Sequence, residues 1–419
     1  MRKIFLLLVL FFYPGVYSQK LNPNFFTDIY SIPSSDSTLQ LFYFYKIPVH
    51  ELIFSKTDNT YSAAIQLTIE VSDSNSNFIQ RQFKDRSISF NDFSLTTDPS
   101  YYIEGVVAFP NKNKTINVTS RFFDVNSKKE LSFKEQRVQK ITSEGGEFLT
   151  PIVLSDDIFK CYENNVRVLT NWGGFIPFDD KMYDILIPCT DTTLEKLFIK
   201  VISGMDTVFN GPIERTELER INFAECNDRI IISYDSISTL TNNFYLTRLT
   251  KKLKEGQIEI IVSNSESFLN RKSYRPIVKW INKPRALAGS ESAIKLLRFI
   301  IKNDSIKQIL KSGDNYDTLL HRFWKNIDPS PATEYNELMA EYYERIDYSM
   351  KNFSTITGLS GLETNRAKIY ILYGTPSLIE RGTNGDGKIS ETWTYAKLHK
   401  IFIFVDEKGT GEFILKNTL

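Results

Sequence analysis

The chain has 419 residues with 51 basic and 50 acidic side chains, so it lacks the surplus of Lys and Arg on which nucleic-acid binding rests. An apolar fraction of 42%, with 31 Phe and 21 Tyr, excludes global disorder and supplies enough material for two or three cores.

The first residues set an expected compartment. Arg2 and Lys3 are followed by nine apolar residues, 4–12, and by the breakers Pro14 and Gly15. Val16 and Ser18 then occupy the −3 and −1 positions of a cleavage site before Gln19. This is the layout of a secretory signal peptide over residues 1–18. As a helix the apolar run reaches about 14 Å, short of a hydrocarbon core of about 30 Å. An uncleaved N-terminal anchor is the alternative. No Cys follows the run to carry a lipid. The chain is expected to be exported, to the periplasm or the cell surface, with no transmembrane segment after cleavage.

Residues 19–142 read as an antiparallel β-sandwich. Residues 39–45 form an aromatic strand stopped by Pro48, and residues 61–71 alternate, with Ala63, Ile65, Leu67, Ile69 and Val71 on one face. Residues 101–109 and 116–123 are further strands, and turn residues such as Asp58-Asn59 and Asp73-Ser74-Asn75 separate the runs. Residues 143–147 look like a linker. A second β-rich domain over 150–270 contains strands at 166–169, 182–187, 197–202, 230–234 and 258–262. Leu246, Leu249 and Leu253 predict a helix within 239–255. This domain is either a second sandwich with one helix or a looser α+β unit.

After Lys272 the period becomes helical. Helices are expected over 291–302, from Asp304, from a cap at Asp314, and over 333–353, where Glu341 and Arg345 stand at i,i+4. Pro329 and Pro331 disfavour helix in the residue before each. Strands follow at 368–373, 391–395, 401–405 and 412–415. The fold class is therefore multidomain, mainly β and then α+β, ending in residues 285–419 as helices followed by a small antiparallel sheet.

Chemistry is sparse. There is no zinc-protease, nucleophile-elbow, phosphate-loop or dinucleotide motif. His50, His321 and His399 lie far apart without metal-ligand spacing, so no metal and no cofactor is expected. Residues 384–389 have a calcium-loop centre, but the register puts Gly382 at the first ligand position and Trp393 at the last, which leaves a plain turn between strands. Cys161, Cys189 and Cys226 allow one disulfide with a free thiol, or none. Asp328, Asn336, Glu337, Glu341 and Arg345 gather around the Pro-flanked helix start, with Thr364 and Arg366 at the next strand start. An Arg beside a carboxylate can hold an anionic group, or the same residues can cap helices and pair with one another. Trp324 and Trp393 read as core.

The ordered set Phe323-Trp324, 328–333, Asn336-Glu337, 341–343, Arg345, Thr364, Arg366, 369–374, Pro376, Trp393, Tyr395 and 404–406 resembles the C-terminal domain of GWxTD-domain proteins. The namesake Gly-Trp-x-Thr-Asp stands here as Gly361-Leu362-Glu363-Thr364-Asn365, and the Gly that usually follows the Arg is Ala367. Asn365 has no charge to supply. The resemblance implies an exported bacterial protein of poorly defined function and supplies no reaction. Three functions are expected in order: a non-catalytic interaction or scaffold module for an envelope protein or peptide; an envelope hydrolase or transferase with a site near Asp328, Glu337 and Arg366; and a glycan-binding sandwich using the aromatics of 42–45 or Tyr101-Tyr102.

Overall fold

The computed structural model describes residues 25–34, 38–112, 114–139, 147–234, 236, 238–312 and 315–418. The expected signal peptide and nearly all of the 143–147 linker lie outside these residues.

The first part is a sandwich of two antiparallel sheets. One contains Phe26–Pro33, Leu39–Pro48 and Tyr102–Asn111; the other is built on the long strand Thr60–Asp73, flanked by Phe78–Phe90 and Ile116–Asp124. Leu41, Tyr43, Tyr45 and Ile47 meet Ile65, Leu67, Ile69 and Val71 between the sheets. The strand Leu39–Pro48 is buried on its other face too. There Phe42 and Phe44 pack on Phe223, Ile230 and Leu186 of the next part of the chain. That second burial explains an unbroken aromatic run where a sandwich strand usually alternates. It also means that the strand offers no exposed aromatic platform: Phe42, Tyr43, Phe44 and Tyr45 are 0–2% exposed.

The second part is also a sandwich. A four-stranded sheet (Ile152–Ser155, Tyr183–Cys189, Thr241–Leu246, Glu217–Glu219) packs on a six-stranded one centred on Gly256–Ser263 and Lys196–Ser203. The helix expected within 239–255 is absent. Thr241–Leu246 is instead an interior strand, paired on both sides, and only Thr250–Lys252 makes a 3-10 turn. Leu246, Leu249 and Leu253 are all buried, so three leucines at helical spacing are satisfied by a strand and a turn facing one core. Cys161 and Cys226 form a disulfide, while Cys189 is a buried free thiol.

The third part has helices Ser290–Leu296, Asn303–Lys311, Tyr316–Asn326, Glu337–Asn352 and Asn365–Tyr373, then a four-stranded antiparallel sheet. Gly289 occupies the cap position of the first, which ends at Leu296 rather than at the expected residue 302. Asn315, not Asp314, caps the third, accepting from the Asp317 and Thr318 amides; Asp314 lies outside the described residues. Asn336 shortens the long helix by capping it through the Met339 amide. The strand expected at 368–373 is a helix. Its β-branched and aromatic residues favour strand locally, but a Thr364 cap, a Gly374 stop and burial of Ile369, Tyr370 and Ile371 override that preference. Trp324 and Trp393 are core, and residues 384–387 are the turn between Leu378–Thr383 and Ile389–Tyr395. No described helix is long and apolar enough to cross a membrane.

The disulfide closes a separation of 65 residues. Replacing Cys161 and Cys226 by Ser is expected to cost about 2–5 kcal/mol, measured by denaturant unfolding. The Cys189 thiol, pushed up to about 12 by burial, should resist alkylation until the protein unfolds. Free labelling of Cys161 or Cys226 in unreduced native protein would contradict the pairing.

Candidate functional site

The seven residues singled out from the sequence do not converge on one pocket. Asp328 turns the chain, accepting from the Ser330 amide at 2.9 Å and from Lys325 at 3.3 Å. Asn336 caps its helix and donates to the Trp324 carbonyl at 3.0 Å. Glu337 begins that helix, with one carboxylate oxygen lacking a partner. Arg345 pairs with Glu341 and donates to the carbonyls of Ile371 (3.1 Å) and Leu372 (3.3 Å), so it satisfies the C-terminal end of the helix Asn365–Tyr373. Arg366 is buried against Glu391, donates to the Gly411 carbonyl at 3.1 Å, and lies 4.1 Å from the Phe413 ring centroid. Glu391 is also held by Arg381 at 2.9 Å and by the Trp393 indole at 3.1 Å. Asp328 and Asn336 do line a cleft beside Trp324 and Trp280, and the other five do not share it.

The segment 361–365 works as a helix-starting device. Gly361–Glu363 is a 3-10 turn, and a Cβ on Gly361 would lie 2.2 Å from the Ser349 carbonyl oxygen, so only glycine permits this approach to the long helix. Thr364 then caps the next helix, accepting from the Ala367 amide at 3.2 Å and donating to the Gly361 carbonyl at 2.8 Å. Asn365 is the first helical residue, where a carboxylate would meet the positive end of the helix.

A different place gathers side chains from all three parts of the chain. A cleft of about 530 Å³ is lined by Lys46 and Tyr102 from the first sandwich, by Trp172, Phe178, Asp179, Asp180, Tyr183 and Arg229 from the second, and by Trp280, Tyr335 and Glu344 beyond it. Lys46 is its floor. The ammonium bonds to Glu104 at 2.8 Å, reaches the Thr170 carbonyl at 3.3 Å and sits 3.6 Å from the Trp172 ring centroid. Burial pushes its pKa down, and Glu104 opposes that push. On the opposite wall Phe178, Trp280 and Tyr335 make an aromatic triangle with centroids 5.2–5.9 Å apart. The Tyr183 hydroxyl donates to Asp179 at 2.6 Å. Partial burial, then Glu341, Asp180 and Asp347, raise the Glu344 carboxyl above its usual range.

Sequence reasoning missed this cleft because Lys46, Trp172, Trp280 and Tyr335 come from four distant segments. The available signal was Trp172-Gly173-Gly174, a tryptophan beside two glycines in the left-handed region, outside any periodic run. Among the described residues no group of His, Cys, Asp and Glu could hold a metal ion.

Five helices leading into a four-stranded antiparallel sheet, with a capped turn at 361–365, define an α+β module in the last third of the chain. Residues 272–414 match the family model of the GWxTD domain, so the chain carries that domain. No curated protein matches the chain.

The motif is expected to act through folding. Thr364→Ala should cost about 1 kcal/mol and Gly361→Ala about 1–3 kcal/mol. Asn365→Asp, which restores the family carboxylate, should add about 0.3–1 kcal/mol. Thermal unfolding of the three variants checks this, and a destabilising Asn365→Asp would contradict the capping account.

Proposed function

We propose that the protein is an exported cell-envelope interaction module, and that it takes its partner, a protein or peptide, in the cleft where its three parts meet. The observation that carries this reading is the lining of that cleft. Half-buried Trp172 and Tyr335, with Phe178 and Trp280, stand beside carboxylates in a concavity large enough to enclose several side chains. Buried aromatic anchors with a polar rim are what protein interfaces use. The GWxTD residues that resembled a reactive cluster are engaged in helix caps and internal ion pairs, which supports binding over a reaction centred on Asp328, Glu337 and Arg366. Export is supported by the positive-then-apolar start of the chain and by the Cys161–Cys226 disulfide, a bond that persists in oxidising compartments.

The test is in-cell crosslinking. A photo-crosslinking residue at Ile158, which is 82% exposed beside the cleft, should capture an envelope partner that mass spectrometry identifies. The same residue at the hairpin tip Met205 should not capture it. Trp280→Ala should lower capture about tenfold or more, the loss of an interface anchor worth about 2 kcal/mol. Equal capture from Met205, or purified mature protein that binds no partner yet turns over a defined substrate, would overturn the reading.

A further inference from the structure

The walls of the cleft carry a net excess of carboxylate that the protein does not neutralise. Lys46 and Arg229 both spend their charge on Glu104, at 2.8 Å and 3.0 Å. Lys181 also lines the cleft and lies close enough to Lys46 to lower its pKa. Asp180 of the second sandwich and Glu344 of the long helix both line the cleft, and after burial and Glu341 it is Asp180 that raises the Glu344 carboxyl. No ion pair within 4 Å joins either of them to a Lys or Arg among the described residues. Asp179 has the Tyr183 hydroxyl as its partner, also without a cation. Tyr335 lines the same cleft, and burial first, then Glu344, Asp180 and Asp179, disfavour ionisation of its hydroxyl. The ring of Tyr335 stacks edge-on against Trp280, 5.2 Å away. Lys283, the cation nearest the Trp280 ring at 5.7 Å, is tied to Glu255 at 2.7 Å.

Like charges brought together from two elements, beside aromatic rings whose faces attract cations, make a vacancy complementary to an ammonium or guanidinium group. We infer that the cleft receives a basic segment of an extended polypeptide, with a Lys or Arg side chain held between the Asp180 and Glu344 carboxylates and the Tyr335–Trp280 rings. This inference rests on the reading of the cleft as the partner site, and it adds the chemistry of the partner. The aromatic wall supplies apolar contact to the side-chain stem, and the carboxylates select for positive charge.

The experiment uses the full mature protein and short fluorescein-labelled peptides of alternating Lys–Ser, Glu–Ser and Gly–Ser, read by anisotropy. The Lys–Ser peptide should bind, and the other two should not. Its affinity should fall about tenfold or more when salt rises from about 0.01 M to about 0.15 M, where the screening length shortens from about 30 Å to about 8 Å. The double variant Asp180→Asn, Glu344→Gln should weaken binding about tenfold, with an unchanged unfolding midpoint as the control for folding. Both side chains are exposed, so their replacement leaves the core intact. Equal binding of Gly–Ser or Glu–Ser peptides, or undiminished binding by the double variant, would overturn the inference. If no peptide binds while crosslinking from Ile158 still captures a partner that Trp280→Ala loses, the basic-segment inference falls and the cleft reading stands. If crosslinking fails at Ile158 as well, both fall.

Discussion

The ion pair between Lys46 and Glu104 constrains the rest of the structure. The two residues face each other across adjacent strands and are 3% and 1% exposed. Two charges removed from water lose several kcal/mol each unless their remaining hydrogen-bonding capacity is met. The first sandwich does not meet it alone. The Thr170 carbonyl accepts from Lys46, the Trp172 ring covers it, and Arg229 and Asn171 reach Glu104. All four belong to the second sandwich. The pair is therefore satisfied only when that sandwich is docked. The shared apolar layer around Phe42, Phe44 and Phe223 lies on the same face of the same sheet.

This docking creates the cleft. Trp172 is held over Lys46 because the charge needs a cover, and its edge then meets Tyr102, with centroids 5.1 Å apart. The opposite wall depends on the GWxTD domain, matched over residues 272–414, which sets Trp280 and Tyr335 against Phe178 and bonds the Glu334 amide to the Lys251 carbonyl at 2.9 Å. Within that domain the named motif starts a helix, and Arg345 completes its other end. A motif used in this way tolerates the drift from Trp to Leu362 and from Asp to Asn365. Leu362 still fills the core, and Thr364 still caps. The glycine is the member that steric contact with Ser349 prevents from drifting.

Strong periodicity made much of the fold legible. The alternation of 61–71 marks the strand Thr60–Asp73, and the stripe within 333–353 marks the helix Glu337–Asn352. Errors arose where tertiary contacts decided. The strand Phe78–Phe90 has no continuous apolar face, with only Ile88 and Phe90 reaching the core, exposes Phe83 at 68%, and exists through its ladder with Thr60–Asp73, so hydrophobic pattern could not reveal it. Residues 365–373 form a helix because both ends are capped and one face packs on Glu337–Asn352, against local preference. The polar cluster was legible as a set of special residues, but its role was not: caps and ligand contacts use the same residue types. The cleft left only the Trp172-Gly173-Gly174 mark in the sequence, since its walls are assembled only after three parts of the chain dock.

The central claim is that the buried Lys46–Glu104 pair welds the two sandwiches into one unit. Hydrogen exchange of wild type and Glu104→Ala tests it most directly. Leaving Lys46 buried without its partner should cost about 3–5 kcal/mol. The account predicts that protection falls together in the strand Leu39–Pro48 and in residues 168–172 of the second sandwich. Loss of protection confined to the strand Tyr102–Asn111, with residues 168–172 exchanging as in wild type, would contradict it.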